Sequence, residues 1–500
     1  MSGLQSDGRT SLAQHTKKFI VGGLLVIVFS AIAVASAILI EVKDDLGIIQ
    51  NPVKKSPVVK AELAKVGHAL DDVEAGEPQT ILLLGSDRRF ADIRAKLRAR
   101  SDTIMLVRLD PDKHATAIMS LPRDLKVEVP GHGTRRINEA YELGGASLTI
   151  RTVQQFLDID VNHVVNVNFG GFRRAVDRLG CVYAEVDRRY FNDHGGPGGY
   201  ATIDLKPGYQ KLCGQDALDF VRYRHGDSDF VRGARQQEFL RQAKAQVGLG
   251  RLLDDRKELL RIFAAYTDTD IANGSVAEVL GLLKLAYESS KQPVTEVRFP
   301  GDDAPGGYIE IPEERLRETV DRFIDVRGKD PLLEEQPNEP RRIKPRKGLA
   351  AGLVFAQREG EDHVLSMDLR LAPLGLPVYY PRARLAKGGY AQTGSPRSYD
   401  LFDNDRRRHR AYRIVLYAGE NGEYYGVQGT TWTSPPILAD PDDEVRMRGR
   451  TYKRYFDGSR LRLIAWQRPK AVYWVSNTLS ERLTNRQMMD VARSLQRIGP

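Results

Sequence analysis

Carboxylates and arginines recur at short intervals between Ile81 and Gln237, in ILLLGSDRR (Ile81–Arg89), RSDTIMLV (Arg100–Val107), SLPRD (Ser120–Asp124) and RYRHGDSDFVRGARQQ (Arg222–Gln237). Asp87 follows an apolar run that reads as a buried strand, so its carboxylate is expected at the C-terminal edge of a sheet, where ligand sites of α/β folds collect. Asp102 precedes the strand-like TIMLV and is expected at the same edge. Two hard oxygen ligands, completed by water and phosphate, are a common way for proteins to hold Mg2+. Arg123 comes after Pro122, which ends a strand. Arg222 and Arg224 close one helical segment, and Arg232, Arg235 and Gln236 open the next, where free N–H groups and the helix dipole favour an anion. Planar guanidinium forks suit phosphate oxygens better than ammonium does. Taken singly, each aspartate is equally a cap or turn residue, and a charge-rich stretch is equally a solvated face. The joint arrangement points to magnesium-assisted phosphoryl or pyrophosphoryl chemistry.

Those residues need elements to carry them. Short β-rich runs at Thr80–Leu84, Thr103–Leu109, Thr116–Leu121 and Val164–Val167 read as strands. Apolar residues at helical spacing mark Ser147–Leu157, Gly170–Leu179, Gln215–Tyr223 and Gln236–Val247. Weaker helices follow at Leu252–Ala265, Val276–Tyr287 and Pro312–Val326, with strands at Val294–Phe299 and Tyr308–Ile311. Strands mixed with helices predict a layered α/β domain over residues 79–327.

At 500 residues the chain exceeds one ordinary domain. A content of 41% hydrophobic and 28% charged residues excludes a disordered chain, and the net charge of +9 favours an anionic partner. Phe19–Ile40 holds 22 residues without a charge, long enough to cross a bilayer as one helix. Arg9, His15, Lys17 and Lys18 precede it, while Glu41, Asp44 and Asp45 follow. This asymmetry places residues 1–18 in the cytoplasm and everything after the span outside the cell membrane. A cleaved signal peptide is the rival, with Ala35-Ser36-Ala37 as a small-residue site. Residues 41–78 read as a stalk with one helix near Ala61–Leu70. Cys181 and Cys213 are the only cysteines. Outside the cell they suit a disulfide contributing ~3–4 kcal/mol by chain entropy, with two buried thiols as the alternative.

Residues 328–347, GKDPLLEEQPNEPRRIKPRK, read as a solvated linker. Residues 348–500 then form a separate C-terminal α+β domain with strands at Pro377–Tyr380, Ala411–Tyr417, Glu423–Gln428, Leu461–Trp466 and Lys470–Ser476. Its last helix, Leu483–Leu495, is expected to be capped by Thr484. No catalytic constellation is evident there.

These motifs, with INEAYELGG (Ile137–Gly145) and VNFGGFRRAVDRLGCV (Val167–Val182), resemble the LytR-CpsA-Psr family of cell-wall phosphotransferases over roughly Gln79–Val247. The Arg224-His225 step and the cysteine pair resemble its actinobacterial branch. The resemblance implies a membrane-anchored enzyme that moves a glycopolymer from a polyprenyl-pyrophosphate carrier onto peptidoglycan, leaving a phosphodiester. By the same resemblance Asp87 and Asp102 hold Mg2+. Arg123, Arg222, Arg224, Arg232 and Arg235 bind the pyrophosphate, with Gln236 close by, and Arg89 and Arg100 occupy positions of the same motifs. Arg123 is expected to act in catalysis, and Asp229 is the candidate base, although Val231 stands where many relatives have Gly. Pyrophosphatase activity is compatible as a side reaction. A carrier-binding scaffold or a regulator of envelope assembly is the alternative. The 18-residue basic arm shows no helix-turn-helix pattern, so nucleic acid is not an expected partner.

Overall fold

A computed structural model describes residues 65–74, 77–86, 101–113, 115–193, 202–223, 229–247, 255, 258–259, 261–262, 267–271, 282, 285, 294–297, 299–325, 341–342, 348–366, 375–419, 423–447 and 449–498. The expected tail, membrane helix and most of the expected stalk lie outside these residues, as do most of the linker and the helices expected at Leu252–Ala265 and Val276–Tyr287.

The first half of the chain runs β1 (Gln79–Ser86), β2 (Ser101–Asp110), β3 (Ala115–Leu121), the hairpin β4 (Lys126–Val129) and β5 (Gly133–Arg136), and helix α1 (Ile137–Leu157). β6 (His163–Asn168), α2 (Phe169–Arg178), β7 (Val182–Val186), β8 (Tyr190–Asn192), β9 (Ile203–Leu205) and β10 (Gly208–Leu212) follow. Helices α3 (Gly214–Arg222) and α4 (Asp229–Gln246) precede β11 (Thr267–Thr269), β12 (Val294–Val297), β13 (Asp302–Ala304), β14 (Tyr308–Glu310) and α5 (Glu313–Ile324).

Six strands form the central sheet in the order β11-β6-β1-β2-β3-β12. β1 is parallel to β6, β3 is parallel to β12, and β2 runs antiparallel between β1 and β3. The C-terminal ends of β1, β3, β6 and β12 therefore share one edge with the N-terminal end of β2. Ile81, Leu82, Leu83 and Leu84 are all fully buried. A continuous apolar run, as opposed to alternation, requires cover on both faces. Ile81 and Leu83 pack in one cluster with residues of α2, α3 and α4, and Leu82 and Leu84 pack in another with residues of α1 and α5. Each such side chain contributes roughly 1.5–3 kcal/mol. The layered α/β/α arrangement follows from this two-sided burial.

Several boundaries differ from the sequence reading. α1 starts ten residues before Ser147, with a break at Gly144–Gly145. A Cβ on Gly144 would lie 2.6 Å from Leu148 Cβ, and Gly145 has φ +67°, so this break requires glycine. The described part of the expected stalk is packed: Val66 and Ala69 join the α1 side of the core. Asp71 Oδ2 accepts from Gln154 Nε2 (2.6 Å) and Val161 N (3.0 Å). Val66 and Ala69 both fall in the stretch where one helix is expected, near Ala61–Leu70, and residues 65–67 are helical. Within the expected linker, Arg341–Arg342 form a short strand parallel to Asp443–Met447.

Cys181 and Cys213 are joined as a disulfide, which ties the end of α2 to the start of α3. Asp177 Oδ1 accepts from Gly214 N (2.7 Å), so α2 also caps α3. Gly214 is needed because a Cβ there would meet Asp177 Oδ2 at 2.5 Å.

The second half builds a nine-stranded sheet. Its order is Arg341–Arg342, Asp443–Met447, Arg450–Asp457, Arg460–Arg468, Ala471–Ser476, Tyr424–Thr430, Arg408–Tyr417 and Gly389–Tyr390, with Arg397–Phe402 also paired to Arg408–Tyr417. Helix α6 (Gln357–Leu365) and helix α7 (Asn485–Ser494) pack against it. Thr484 caps α7 in a reciprocal capping box with Gln487.

This half is docked on the first. Tyr183 on β7 and Tyr209 on β10 share a buried cluster with Trp432, Leu401, Leu463 and Trp474. Inside that seam Glu185 on β7 pairs with the fully buried Arg413 (2.7 Å) and accepts from Trp474 Nε1 (2.5 Å). Such a pair adds little net stability, but removing one partner strands a buried charge. Arg413→Met is expected to cost about 3–5 kcal/mol in chemical denaturation. Adding Glu185→Gln to that variant should recover part of the loss.

Candidate active site

The shared sheet edge is where the motifs converge. Gly85 pairs with Thr103 but Ser86 pairs with Ser101, so Asp102 is the extra residue of a β-bulge. Bulges bend a strand and re-aim its residues, often beside active sites. This register brings Ser86, the residue before Asp87, to the strand position next to Asp102. Asp87, Arg89, Arg100 and Arg224 lie outside the described residues, and for Asp102 and Asp229 only the backbone is described. Among the described residues, one group of three potential metal ligands occurs, Asp177 with Cys181 and Cys213, whose sulfurs are consumed by the disulfide.

A cavity of about 330 Å³ opens beneath the first turns of α4. Its sheet wall is Thr103, Ile104, Ser120, Leu121 and Pro122, and its helix wall includes Phe230, Arg232, Gln236 and Gln237. Phe299 and Pro300 after β12 close the apolar end, and Ser480 enters from the second half of the chain. The cavity therefore joins an apolar wall to a buried cation, the combination needed for a molecule with a hydrocarbon part and an anionic head. Arg232 is only 6% exposed. Gln236 Nε2 donates to Thr103 Oγ1 and Val221 O, both at 3.1 Å, and so links α4 to β2 and α3.

The other sequence candidates take different places. Arg123 sits in the turn after β3, its Nε donating to Asp124 Oδ2 (3.2 Å) and its carbonyl accepting from Asn138 N (3.1 Å). Arg136 approaches the same Asp124 at 3.4 Å. Arg222 ends α3, with its guanidinium 4.7 Å from the Phe169 ring centroid. Arg235 is fully buried away from the cavity lining, donating to Tyr223 O (2.9 Å) over the Tyr190 ring (4.6 Å). α4 begins at Asp229, seven residues before the expected start. Arg235 and Gln236 consequently stand in its second turn, away from the free N–H groups of its first. Apolar periodicity missed this turn because α4 buries Arg232, Arg235, Gln236 and Gln237 where an ordinary helix buries aliphatic residues. Thr103, Ser120 and Gln237 lie within the quoted motifs but were not singled out, and Ser480 lies in none, since uncharged polar residues carry no distinctive spacing signal.

Asp219 on α3, one turn before Arg222, is 6% exposed, and burial pushes its carboxyl up to about 6. Gln215 Nε2 and the Arg222 charge oppose the shift without cancelling it. Because the folded state favours the protonated form, its stabilisation is present below about pH 4 and is lost as pH rises through about 6. Asp219→Asn, neutral at every pH, is expected to raise Tm at about pH 7.5 and to leave it nearly unchanged at about pH 4, read by calorimetry at both values.

Comparison with known proteins gives this geometry its context. The chain is 32% identical over 249 residues to the polyisoprenyl-teichoic acid–peptidoglycan teichoic acid transferase TagT of Bacillus subtilis strain 168, covering 48% of this chain and 74% of that one. It is 26% identical over 312 residues to the corresponding TagU of Bacillus cereus strain ATCC 14579, covering 61% of this chain and 95% of that one. The crystal structure of B. subtilis TagT aligns with a TM-score of 0.37 at 27% identity, over 51% of this chain and 92% of that one. The model of the LytR_cpsA_psr family matches residues 47–323. With more than half of its length matched, the chain belongs to the LytR_cpsA_psr family.

Proposed function

We propose that this protein transfers a glycopolymer from a polyprenyl-pyrophosphate carrier to peptidoglycan, leaving a phosphodiester link. The observation that carries the reading is the cavity at the sheet edge, where buried Arg232 and Gln236 face an apolar wall of Ile104, Leu121, Phe230 and Phe299. The names of the curated relatives, transferases of a polyisoprenyl-linked polymer to peptidoglycan, support the same chemistry.

In this reading the apolar wall takes the start of the polyprenyl tail, and Arg232 and Gln236 bind the pyrophosphate. Arg123, Arg222 and Arg224 add positive charge, and Arg89 and Arg100, of the same motifs, would add more. Arg235, caged by rings, positions Tyr223 at the end of α3. Asp87 and Asp102 would hold Mg2+, which supplies charge withdrawal from the pyrophosphate oxygens when bound. A hydroxyl of peptidoglycan attacks the phosphorus that bears the glycan, giving up its proton to Asp229. The new O–P bond forms as the bridging P–O bond breaks and polyprenyl phosphate leaves, its growing charge neutralised by the arginines. With water in place of the acceptor hydroxyl, the same residues would support a pyrophosphatase side reaction. The paired cysteines support an extracytoplasmic site, since disulfides persist in oxidising compartments.

The test uses the full-length protein in detergent with a synthetic polyprenyl-pyrophosphate oligosaccharide, peptidoglycan fragments and Mg2+. Wild type should form acceptor-linked glycan phosphate. Arg232→Ala should lose about 10²–10³-fold in kcat, the scale for removing one charge-stabilising group, and Asp87→Ala should lose Mg2+ dependence as well. Tight carrier binding with no product in any arm would replace the transferase with a carrier-binding scaffold.

A further inference from the structure

Among the described residues that line the cavity beneath α4, every one but Ser480 lies between Thr103 and Pro300, within the family domain. Ser480 comes from the second half of the chain. The helix face that it meets accounts for its presence. Ala234, Gln237 and Arg241 recur at the three- and four-residue spacing of one face of α4. Ala234 and Gln237 line the cavity. Arg241, one turn further on, donates to Asp457 Oδ2 across the seam (2.6 Å). One face of α4 thus borders the cavity and then the second half.

The loop that carries Ser480 is tied to α4 by a short series of bonds. Glu238, next to Gln237, meets Arg462 at 3.3 Å, and Arg462 lies in the strand Arg460–Arg468. The Arg462 carbonyl accepts from Asn477 N (2.8 Å). The Asn477 side chain donates to Leu461 O and Leu483 O, both at 2.9 Å, and accepts from Thr478 N (2.8 Å) and Leu483 N (3.0 Å). Thr478 O then accepts from Glu481 N and Thr478 Oγ1 from Arg482 N, both at 2.9 Å, which closes the turn around Ser480. Asn477, Thr478 and Glu481 are all buried.

Two physical consequences follow from that anchoring. A wall held in place spares the ordering cost that a flexible loop would incur on binding. It also cannot retreat from a larger side chain, since both neighbours of Ser480 are packed in the seam, where Leu479 and Glu481 border α4. Serine leaves the cavity its volume of about 330 Å³, whereas a bulky residue would project into it.

We propose that Ser480 contacts the lipid-linked pyrophosphate, making the 477–483 loop a fixed wall of the carrier site. The inference rests on the assignment of this cavity to the carrier given above. The second half of the chain then takes part in binding the carrier, and the family domain holds it only in that company.

The test uses the full-length protein in detergent and a short-chain polyprenyl pyrophosphate carrying a diazirine on its first isoprene unit. After irradiation, peptide mass spectrometry of wild type should find label on residues 477–483 as well as on α4, both competed away by unlabelled polyprenyl pyrophosphate. Ser480→Phe should weaken binding of the unlabelled lipid by about tenfold, the scale of overpacking a filled site. Competable label confined to residues 79–325, or wild-type affinity in Ser480→Phe at unchanged Tm, overturns the wall and leaves the carrier reading standing. Should Ser480→Phe lower Tm, the labelling of wild type decides alone. Absence of saturable binding to wild type overturns both.

Discussion

Burying a strip of polar side chains on one helix is the constraint around which this molecule is arranged. Along α4, Arg232, Arg235, Gln236, Gln237, Glu238 and Gln242 are all buried. A buried charge without partners costs several kcal/mol, so each neighbouring element supplies something to this strip. α3 offers the carbonyls of Val221 and Tyr223, β2 offers Thr103, and the second half offers Arg462 and Asp457.

The same constraint explains why the two halves are docked. β7 and β10 present Tyr183, Glu185 and Tyr209 outward from the first core, and their polar atoms find partners across the seam. Tyr183 OH donates to Phe402 O (2.7 Å), Tyr209 N donates to Gln428 Oε1 (3.3 Å), and Tyr209 OH accepts from Ile437 N (3.2 Å). Aromatic area provides the driving force, while these bonds and the Glu185–Arg413 pair set the register. A seam of this kind holds Ser480 at a set position against α4.

The disulfide, the bulge and the aromatic cage all bear on positioning. The Cys181–Cys213 link fixes where α3 starts, and the cage around Arg235 fixes where it ends. Between them α3 delivers Arg222 to the Phe169 ring at the end of β6. The bulge at Asp102 interrupts the ladder at the edge where β1 ends. Rigid elements thus converge on one edge from both sides of the sheet, as charge-stabilising chemistry requires.

The sequence by itself determined the central strands, the helices with aliphatic periodicity, the cap of α7 and the family, because those depend on local pattern and on motifs read in order. ILLLG can only be a strand covered on both faces, and Thr484 with Gln487 can only begin a helix in that register. The early start of α4, the packing of Val66 and Ala69, the cage around Arg235 and the docking of the second half were decided by the tertiary structure. Each places polar or isolated apolar residues in burial, and whether such a residue is buried depends on partners outside its own element. Glu185 finds Arg413 and Trp474 in this way, and Ser480 reaches a cavity whose other walls begin at Thr103. No local spacing encodes contacts of that range.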